Sequence, residues 1–261
     1  MFRKRCIGNH KMKPTTYINL SGGVDSTYYL WRWLKEHPDE TILVHHCLYN
    51  KLRRDVEAEA TNKILQRLKD NGLNNFRYVE TEFNRGTVRT VLVDVCVMGA
   101  ISGIILRGRR AVKNVLMSYC WEETPKIRAW LRQKRSLRTF PASERSGVFI
   151  RAIELFARRQ FVFQIPYMNV TKEQMIKELP MELLDATWFC RKPRKGKPCG
   201  GCFNCNRCLP HIRRRKQGLM LSDSPHELNV RTSVTHIAKP VRHYSGWRYG
   251  RRHERILKTA I

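Results

Sequence analysis

The first stretch with residue types suited to chemistry is the hexapeptide "SGGVDS" at residues 21–26. A short apolar run containing Tyr17, Ile18 and Leu20 precedes it, and the segment "STYYLWRWLKEH" continues with helical spacing. The two glycines permit a tight turn and a close approach of the backbone to a ligand. This loop lies between a strand and the N-terminus of a helix, where free backbone N–H groups and the positive end of the helix dipole attract anions. It therefore predicts an anion site, usually for phosphate.

The second stretch is a cysteine cluster near residue 200. Five of the nine cysteines fall within "CRKPRKGKPCGGCFNCNRC", whereas Cys6, Cys47, Cys96 and Cys120 are scattered and are interpreted as buried or incidental thiols. Clustered cysteines indicate a metal site in a chain with no sign of secretion. The spacing C-x8-C-x2-C-x2-C predicts a tetrahedral structural zinc bound by four thiolates. An iron–sulfur cluster and a redox-active or idle cluster remain alternatives. The predicted ligands are Cys190, Cys199, Cys202 and Cys205.

The chain is strongly basic, with 50 Lys and Arg against 22 Asp and Glu and a net charge of +28. A field of this size attracts polyanions, so DNA or RNA is a candidate partner, although some phosphate-handling enzymes are simply basic. No apolar run is long enough to span a membrane, and the basic N-terminus lacks an apolar signal core. We therefore expect a soluble, cytoplasmic protein without membrane contact. The sequence leaves the oligomeric state open, and a homodimer is one option.

Strand-like and helical segments alternate along the chain, which predicts an α/β fold with an open, mostly parallel sheet. The glycine loop then lies at the carboxyl end of the first strand, where such folds bind ligands. One main domain is expected at 1–218, with a metal knuckle at 190–208, and a basic extension at 219–261. In that extension "RHYSGWRYGRRHER" alternates aromatic and basic residues, which suits nucleic-acid binding, although packing against the core is the alternative. Strands are predicted at 40–49, 76–83, 113–121 and 161–169, and helices at 53–72, 88–111, 146–160 and 171–179.

Three of these helices carry a local signal. In 53–72, Val56, Ala60, Ile64 and Leu68 follow i+4 spacing, and the small residues of 88–111 suit close packing. Thr171 with Gln174 predicts a capping box at the start of 171–179.

The loop "SGGVDS" resembles the pyrophosphate-binding loop of the ATP-pyrophosphatase group, whose fold is the adenine-nucleotide alpha-hydrolase type. The resemblance implies that ATP is cleaved between its α and β phosphates, giving an adenylylated intermediate and pyrophosphate. It implies catalytic roles for Asp25 and Ser26, with Asp25 positioning the Mg²⁺–pyrophosphate group. The implied nucleotide-binding residues are Ser21, Gly22, Gly23, Val24, Asp25, Ser26 and Thr27.

Three further segments are similar to the closing third of 7-cyano-7-deazaguanine synthase: "PYMNVTKEQMIKEL", "DATWFC" and "CGGCFNC". Tyr49 in "LYNKLRRDVEAEA" also matches that family, so the resemblance spans about residues 15–218. It implies that ATP activates the carboxylate of 7-carboxy-7-deazaguanine, that ammonia captures the acyl adenylate, and that a second ATP drives loss of the amide oxygen to leave a nitrile. The implied cofactors and partners are ATP, Mg²⁺, Zn²⁺, the deazapurine and ammonia.

The middle of the chain departs from this family in the segments that should shape the base pocket. Ser118 and Cys120 stand for the family's Gly and Asn, with Glu123 in place of its Asp. A later segment keeps Phe140, Pro141, Arg145 and Phe149 in comparable order but lacks its Asp. Cys208 stands where the family tends to carry Arg, and it is either a substitute metal ligand or a bystander thiol. Together with the charge, this suggests a specialised branch, such as a phage or mobile-element copy. The alternatives are modification of a base within tRNA or DNA and a non-catalytic nucleic-acid-binding descendant.

Overall fold

A computed structural model describes residues 5–7, 12–49, 53–83, 94–120 and 145–219. Six strands of these residues form a single sheet: β1 Arg5–Ile7, β2 Thr16–Asn19, β3 Ile42–Leu48, β4 Phe76–Glu82, β5 Asn114–Leu116 and β6 Val162–Gln164. Their order in the sheet is β1-β4-β3-β2-β5-β6. The strands from β2 to β6 run parallel, whereas β1 lies antiparallel to β4 at the edge of the sheet.

The strand order reverses between β2 and β5. From β2 the chain moves outward through β3 to β4, and it then crosses back to place β5 on the other side of β2. Open α/β sheets bind ligands at the carboxyl ends of the strands that flank such a reversal. The loop at 21–26 directly follows β2, so the predicted open, mostly parallel α/β fold and the position of its loop are confirmed.

Helices cover both faces of this sheet. Five of the described helices agree with predicted segments, whereas those at 181–186 and 203–216 were not predicted. The capping box predicted at Thr171 is confirmed, since its hydroxyl accepts from the Gln174 N–H at 3.1 Å while the Gln174 side chain accepts from the Thr171 N–H at 2.9 Å. The helices are α1 Val24–Glu36, α2 Arg54–Asp70, α3 Asp94–Arg107, α4 Arg145–Ala157, α5 Lys172–Glu178, α6 Met181–Ala186 and α7 Phe203–Lys216.

The sheet separates two apolar cores. The larger core lies under α1, α2, α5, α6 and α7 and contains Tyr28, Tyr29 and Phe76. The smaller core lies under α3 and α4, which approach closely through small residues. A Cβ at Gly99 would stand 2.8 Å from Ala152 Cβ, and one at Gly103 would stand 2.6 Å from the Ile153 carbonyl oxygen. The predicted helix at 88–111 therefore packs on its neighbour through glycines, as its small residues indicated.

Some predicted segments are shorter in the structure or fall outside its description. The strand predicted at 113–121 covers only Asn114–Leu116, because its hydrogen bonding with β2 ends at the turn into the loop after Ile18. Residues 84–93, 121–144 and 220–261 lie outside the described residues, and so do Glu123, Phe140, Pro141 and nearly all of the predicted basic extension. Among the helices that are described, none combines the length and apolar character needed to cross a membrane.

Candidate active site and metal centre

The loop after β2 leaves the first turn of α1 open to a ligand. Gly22 adopts a left-handed conformation with φ of +75°, and Gly23 is the N-cap of α1 without a side-chain cap hydrogen bond. The first N–H groups of a helix have no partner within the helix, and they carry the positive end of its dipole. Their position at the reversal of strand order makes the loop suitable for binding a phosphate group.

Gly22 is held between two elements that are distant in sequence. The Trp188 N–H donates to the Gly22 carbonyl at 2.8 Å. On the other side, a Cβ at Gly22 would stand 3.2 Å from both the Glu57 carbonyl oxygen and the Thr61 hydroxyl oxygen of α2. Two separate features therefore favour glycine at position 22, namely the left-handed backbone conformation and the close approach of α2.

We expect Gly22→Ala to impair nucleotide binding and to lower the free energy of unfolding by about 1–3 kcal/mol, since strain and crowding add. Gly72→Ala is a matched control, because Gly72 has the same φ of +75° and a Cβ added there would meet nothing within 4 Å. Urea denaturation and ATP titration of both variants measure the effects. Equal losses in the two variants would show that the packing against α2 is unimportant.

The hydroxyl groups of the loop bind its own backbone. Ser26 Oγ accepts from the Ser21 N–H at 3.2 Å and lies 3.3 Å from the Gly23 carbonyl oxygen. Thr27 Oγ1 donates to the same carbonyl at 2.8 Å, and both side chains are buried. The structure thus shows Ser26 and Thr27 shaping the loop, whereas their contact with phosphate and the catalytic role of Ser26 stay predictions.

Asp25 forms an ion pair with Lys172 at the start of α5, 147 residues away. The Lys172 ammonium is almost fully buried. Burial by itself lowers the pKa of Lys172, but the negative charge of Asp25 outweighs it and raises the pKa above its usual value. Lys172 belongs to the segment "PYMNVTKEQMIKEL", but its sequence position assigns it no role. A basic residue beside a helix cap does not by itself indicate a partner for a distant carboxylate.

A cavity of ≈ 260 Å³ adjoins the loop at the carboxyl ends of β2 and β5. Its polar lining includes an ion pair between Arg53 and Glu57, whose Nη1 and Oε1 atoms are 2.9 Å apart. Ser118 and Phe149, which the sequence placed in the base pocket, both lie on its wall, whereas Cys120 is not among the described lining residues. The lining residues are Asn19, Ser21, Tyr49, Arg53, Glu57, Val95, Met98, Leu116, Met117, Ser118, Tyr119 and Phe149.

A buried polar network beneath the cavity orients the Asn19 amide. Asn19 Oδ1 lies 2.8 Å from the Tyr17 hydroxyl and 2.9 Å from His45 Nδ1, and its Nδ2 donates to Ser102 Oγ at 3.1 Å. His45 Nε2 lies 2.8 Å from Thr81 Oγ1, so both ring nitrogens of a neutral imidazole are satisfied. Sequence analysis missed this network, because its members are spread over four elements.

Burial, reinforced by the nearby His46, lowers the pKa of His45 to about 3. In the unfolded chain its pKa is about 6.5, so unfolding takes up a proton between these values and stability is lost as the pH falls from about 6.5 towards 3. We expect His45→Gln to flatten the fall in unfolding free energy between pH 6.5 and 5 by about 1.4 kcal/mol per pH unit. Urea denaturation at several pH values measures this slope, and an unchanged slope would contradict the assignment.

The four predicted metal ligands come together in one group. The Sγ atoms of Cys190, Cys199, Cys202 and Cys205 all lie within 4.8 Å of one another, and those of Cys199 and Cys205 are 3.9 Å apart. Four thiolates at about 2.3 Å from one tetrahedral Zn²⁺ stand about 3.8 Å apart, so this donor set fits a single ion. The structure confirms a four-cysteine cluster that could bind a metal.

Backbone N–H groups donate hydrogen bonds to two of these sulfur atoms. Cys190 Sγ accepts from the Cys199 N–H at 3.2 Å, and Cys202 Sγ, at the N-cap of α7, accepts from the Cys205 N–H at 3.4 Å. Partial burial raises the pKa of Cys202, but hydrogen bonds from the backbone of Arg191 and Cys205 outweigh it and bring the pKa to about 6. The lowered pKa of Cys202 thus has a local cause in the hydrogen bonds of the backbone.

The fifth cysteine, Cys208, lies apart from the four-sulfur group. It is buried in the larger core, and burial raises the pKa of its thiol to about 11. Its neighbour Arg207 donates to the buried Cys120 Sγ at 3.4 Å. Cys208 is therefore a packed thiol of α7, and Cys120 holds the guanidinium of the same helix.

The metal centre and the loop share a structural support. Helix α7, which carries Cys202 and Cys205 at its start, packs on α5, where Arg215 donates to the Ile176 carbonyl. Helix α5 in turn carries Lys172, the partner of Asp25. A metal that orders α7 would consequently stabilise the surroundings of the loop.

No protein-family model matches the chain, and no curated protein sequence matches it. Among solved structures, it is similar to the U34-tRNA thiolase NcsA from Methanococcus maripaludis with its 4Fe-4S cluster. The identity is 12%, the TM-score is 0.41, and the match covers 80% of this chain and 69% of that chain. So remote a likeness transfers neither the substrate nor the cluster of that protein to this chain.

Proposed function

We propose that this protein is an enzyme that binds ATP at residues 21–27 and cleaves it between the α and β phosphates. The observation that carries the proposal is the uncapped N-terminus of α1, which follows the glycine loop at the reversal of strand order and adjoins the ≈ 260 Å³ cavity. The loop N–H groups would hold the pyrophosphate. Asp25, held by Lys172, would face the Mg²⁺ that bridges the phosphates.

For the substrate we propose 7-carboxy-7-deazaguanine, on the strength of the sequence segments that resemble its synthase. Its carboxylate oxygen would attack the α phosphorus of ATP and release pyrophosphate, and ammonia would then displace AMP to form an amide. The amide oxygen would then attack the α phosphorus of a second ATP and release pyrophosphate. Departure of that oxygen as part of AMP, with loss of the two amide protons, leaves the nitrile. The site must stabilise phosphate charge and keep water from the acyl adenylate, and the loop N–H groups beside the cavity suit the first of these needs.

For the metal centre we propose a structural Zn²⁺. The sulfur separations suit one ion, and the four cysteines leave no coordination position open for a reacting ligand. Cys190 directly follows the segment in which Trp188 binds the Gly22 carbonyl, so a metal there would fix that segment as well as α7.

The test is mass spectrometry of a reaction that contains the purified chain, ATP, Mg²⁺, ammonium and 7-carboxy-7-deazaguanine. We expect the amide or the nitrile to accumulate together with AMP and pyrophosphate. Pyrophosphate release without either product would retain the ATP assignment and reject this substrate. If neither pyrophosphate nor product formed with metal-loaded protein, the ATP assignment would be wrong.

A second candidate is the ATP-dependent modification of a base within tRNA or DNA. The observation that favours it is the charge around the metal centre, since residues 190–217 contain ten Lys and Arg and no Asp or Glu. Most of these side chains are exposed. Offering tRNA or DNA in place of the free deazapurine in the same assay distinguishes this candidate from the first.

A further inference from the structure

Phe203 is an apolar side chain with an unusual position. It is the first residue of α7, it directly follows the metal ligand Cys202, and 68% of its surface is exposed. The guanidinium of Arg207, one helical turn later, stands 5.3 Å from the centre of the Phe203 ring. An exposed aromatic face with an arginine beside it is the arrangement on which nucleic-acid bases stack.

A rigid basic turn lies in the same cysteine knuckle. Arg194 and Lys197 exchange backbone hydrogen bonds at 2.9 and 3.0 Å, and Lys195 and Gly196 between them both have positive φ values, of 47° and 72°. This two-residue hairpin turn fixes the backbone from which Arg194, Lys195 and Lys197 project into solvent. A non-glycine residue with positive φ is uncommon, so the turn is a defined structure and not a loose loop.

The charges of this turn are available to a partner. Among the described residues, no carboxylate pairs with the side chains of Arg194, Lys195 or Lys197, whereas Lys216 at the far end of α7 is paired with Asp185 at 2.6 Å. Phosphate groups of a nucleic acid could therefore bind these side chains without displacing an existing ion pair.

The Arg207 side chain links Phe203 to the segment beside the cavity. Its guanidinium lies over the Phe203 ring and donates to the buried Cys120 Sγ at 3.4 Å. Cys120 directly follows Met117, Ser118 and Tyr119, which line the cavity. Two contacts therefore hold the Arg207 guanidinium in place beside the Phe203 ring.

We propose that Phe203, Arg207 and the turn at 194–197 form a docking surface for a single-stranded nucleic-acid segment, with an unpaired base stacked on Phe203 and phosphates bound by the turn. The proposal deepens the second candidate function and does not depend on ATP cleavage. A duplex presents no free base face, so it would gain only the phosphate contacts. The surface therefore selects single strands over duplexes.

The test is fluorescence anisotropy of the full, metal-loaded chain without ATP, using a labelled 20-nucleotide single-stranded RNA and a duplex DNA of the same length. We expect Phe203→Ala to weaken binding of the single strand about ten-fold or more and to leave duplex binding nearly unchanged. Phe203→Trp should retain single-strand binding, because it keeps an aromatic face. Leu155→Ala is the matched control, since Leu155 is equally exposed at 72% but lies on α4.

Two further variants separate stacking from other causes. Phe203→Leu keeps an apolar side chain, so a loss equal to that of Phe203→Ala assigns the effect to the ring. Replacing Arg194 and Lys197 together by Ala should reduce the slope of the logarithm of the binding constant against the logarithm of salt concentration by about one or two, which corresponds to the loss of one or two phosphate contacts. Metal content is measured for each variant. Unchanged single-strand binding by metal-loaded Phe203→Ala, or equal weakening for single strand and duplex, would overturn the proposal.

Discussion

Asp25→Asn is expected to reduce pyrophosphate release about a hundred-fold or more, which is the effect of removing one preorganised charged group from a reaction centre. The substitution removes the carboxylate proposed to face the Mg²⁺–pyrophosphate group. It also leaves the buried Lys172 ammonium without its counter-charge, because the ion pair between the two is lost. Steady-state assays of pyrophosphate release at saturating ATP measure the effect.

Loss of activity through unfolding must be separated from loss of chemistry. Breaking a buried ion pair from one side costs about 3–5 kcal/mol, and we expect less here because the Asp25 side chain keeps 29% exposure. The double substitution Asp25→Asn with Lys172→Met removes the unpaired charge, so it should recover stability but not activity. Asp185→Asn is the matched control, since it breaks a surface pair with Lys216 whose members are half exposed. Wild-type release by Asp25→Asn would falsify the ATP-site assignment.

Cys202→Ser is expected to release the metal and to lower the free energy of unfolding by about 4 kcal/mol or more. A metal present at about a thousand times its dissociation constant stabilises the folded state by about that amount. Cys202 is both a member of the four-sulfur group and the N-cap of α7, so its loss should also loosen the helix that packs on α5. Elemental analysis of the purified variant and its thermal unfolding curve measure the two effects.

Cys208→Ser is the matched control for this experiment. Cys208 belongs to the same helix and the same cysteine-rich segment, but its sulfur lies outside the four-sulfur group. This variant should keep one equivalent of metal and lose only the modest stability of a buried thiol. Full metal content in Cys202→Ser, or loss of metal from Cys208→Ser, would show that the ligand set is wrong. Visible absorbance and iron content distinguish an iron–sulfur cluster from the proposed colourless Zn²⁺.

Features with a short sequence range could be read from the sequence. The i+4 spacing of Val56, Ala60, Ile64 and Leu68 predicted the helix α2, in which the last three are buried and Val56 is only partly so. The pattern Thr171 to Gln174 predicted a capping box that the structure contains. The four clustered cysteines fall within sixteen residues, so their spacing alone indicated that their sulfur atoms converge. Local hydrogen bonding and helical periodicity act over a few residues, and the sequence of a few residues therefore suffices to predict them.

Features that depend on the pairing of distant elements emerged only from the tertiary structure. Lys172 reaches Asp25 because α5 packs against α1. The side chains around Asn19 come together because β2 lies beside β3 and under α3, and they belong to Tyr17, His45 and Ser102. The cavity likewise combines residues from several separate segments, and Arg207 meets Cys120 across 87 residues. The periodicity of the sequence does not predict these contacts, because they depend on the order of the strands and on which helix faces pack on the sheet. The sequence by itself thus determined the fold class, the position of the loop and the four-cysteine cluster, whereas the packing of the sheet and its helices decided which side chains support them.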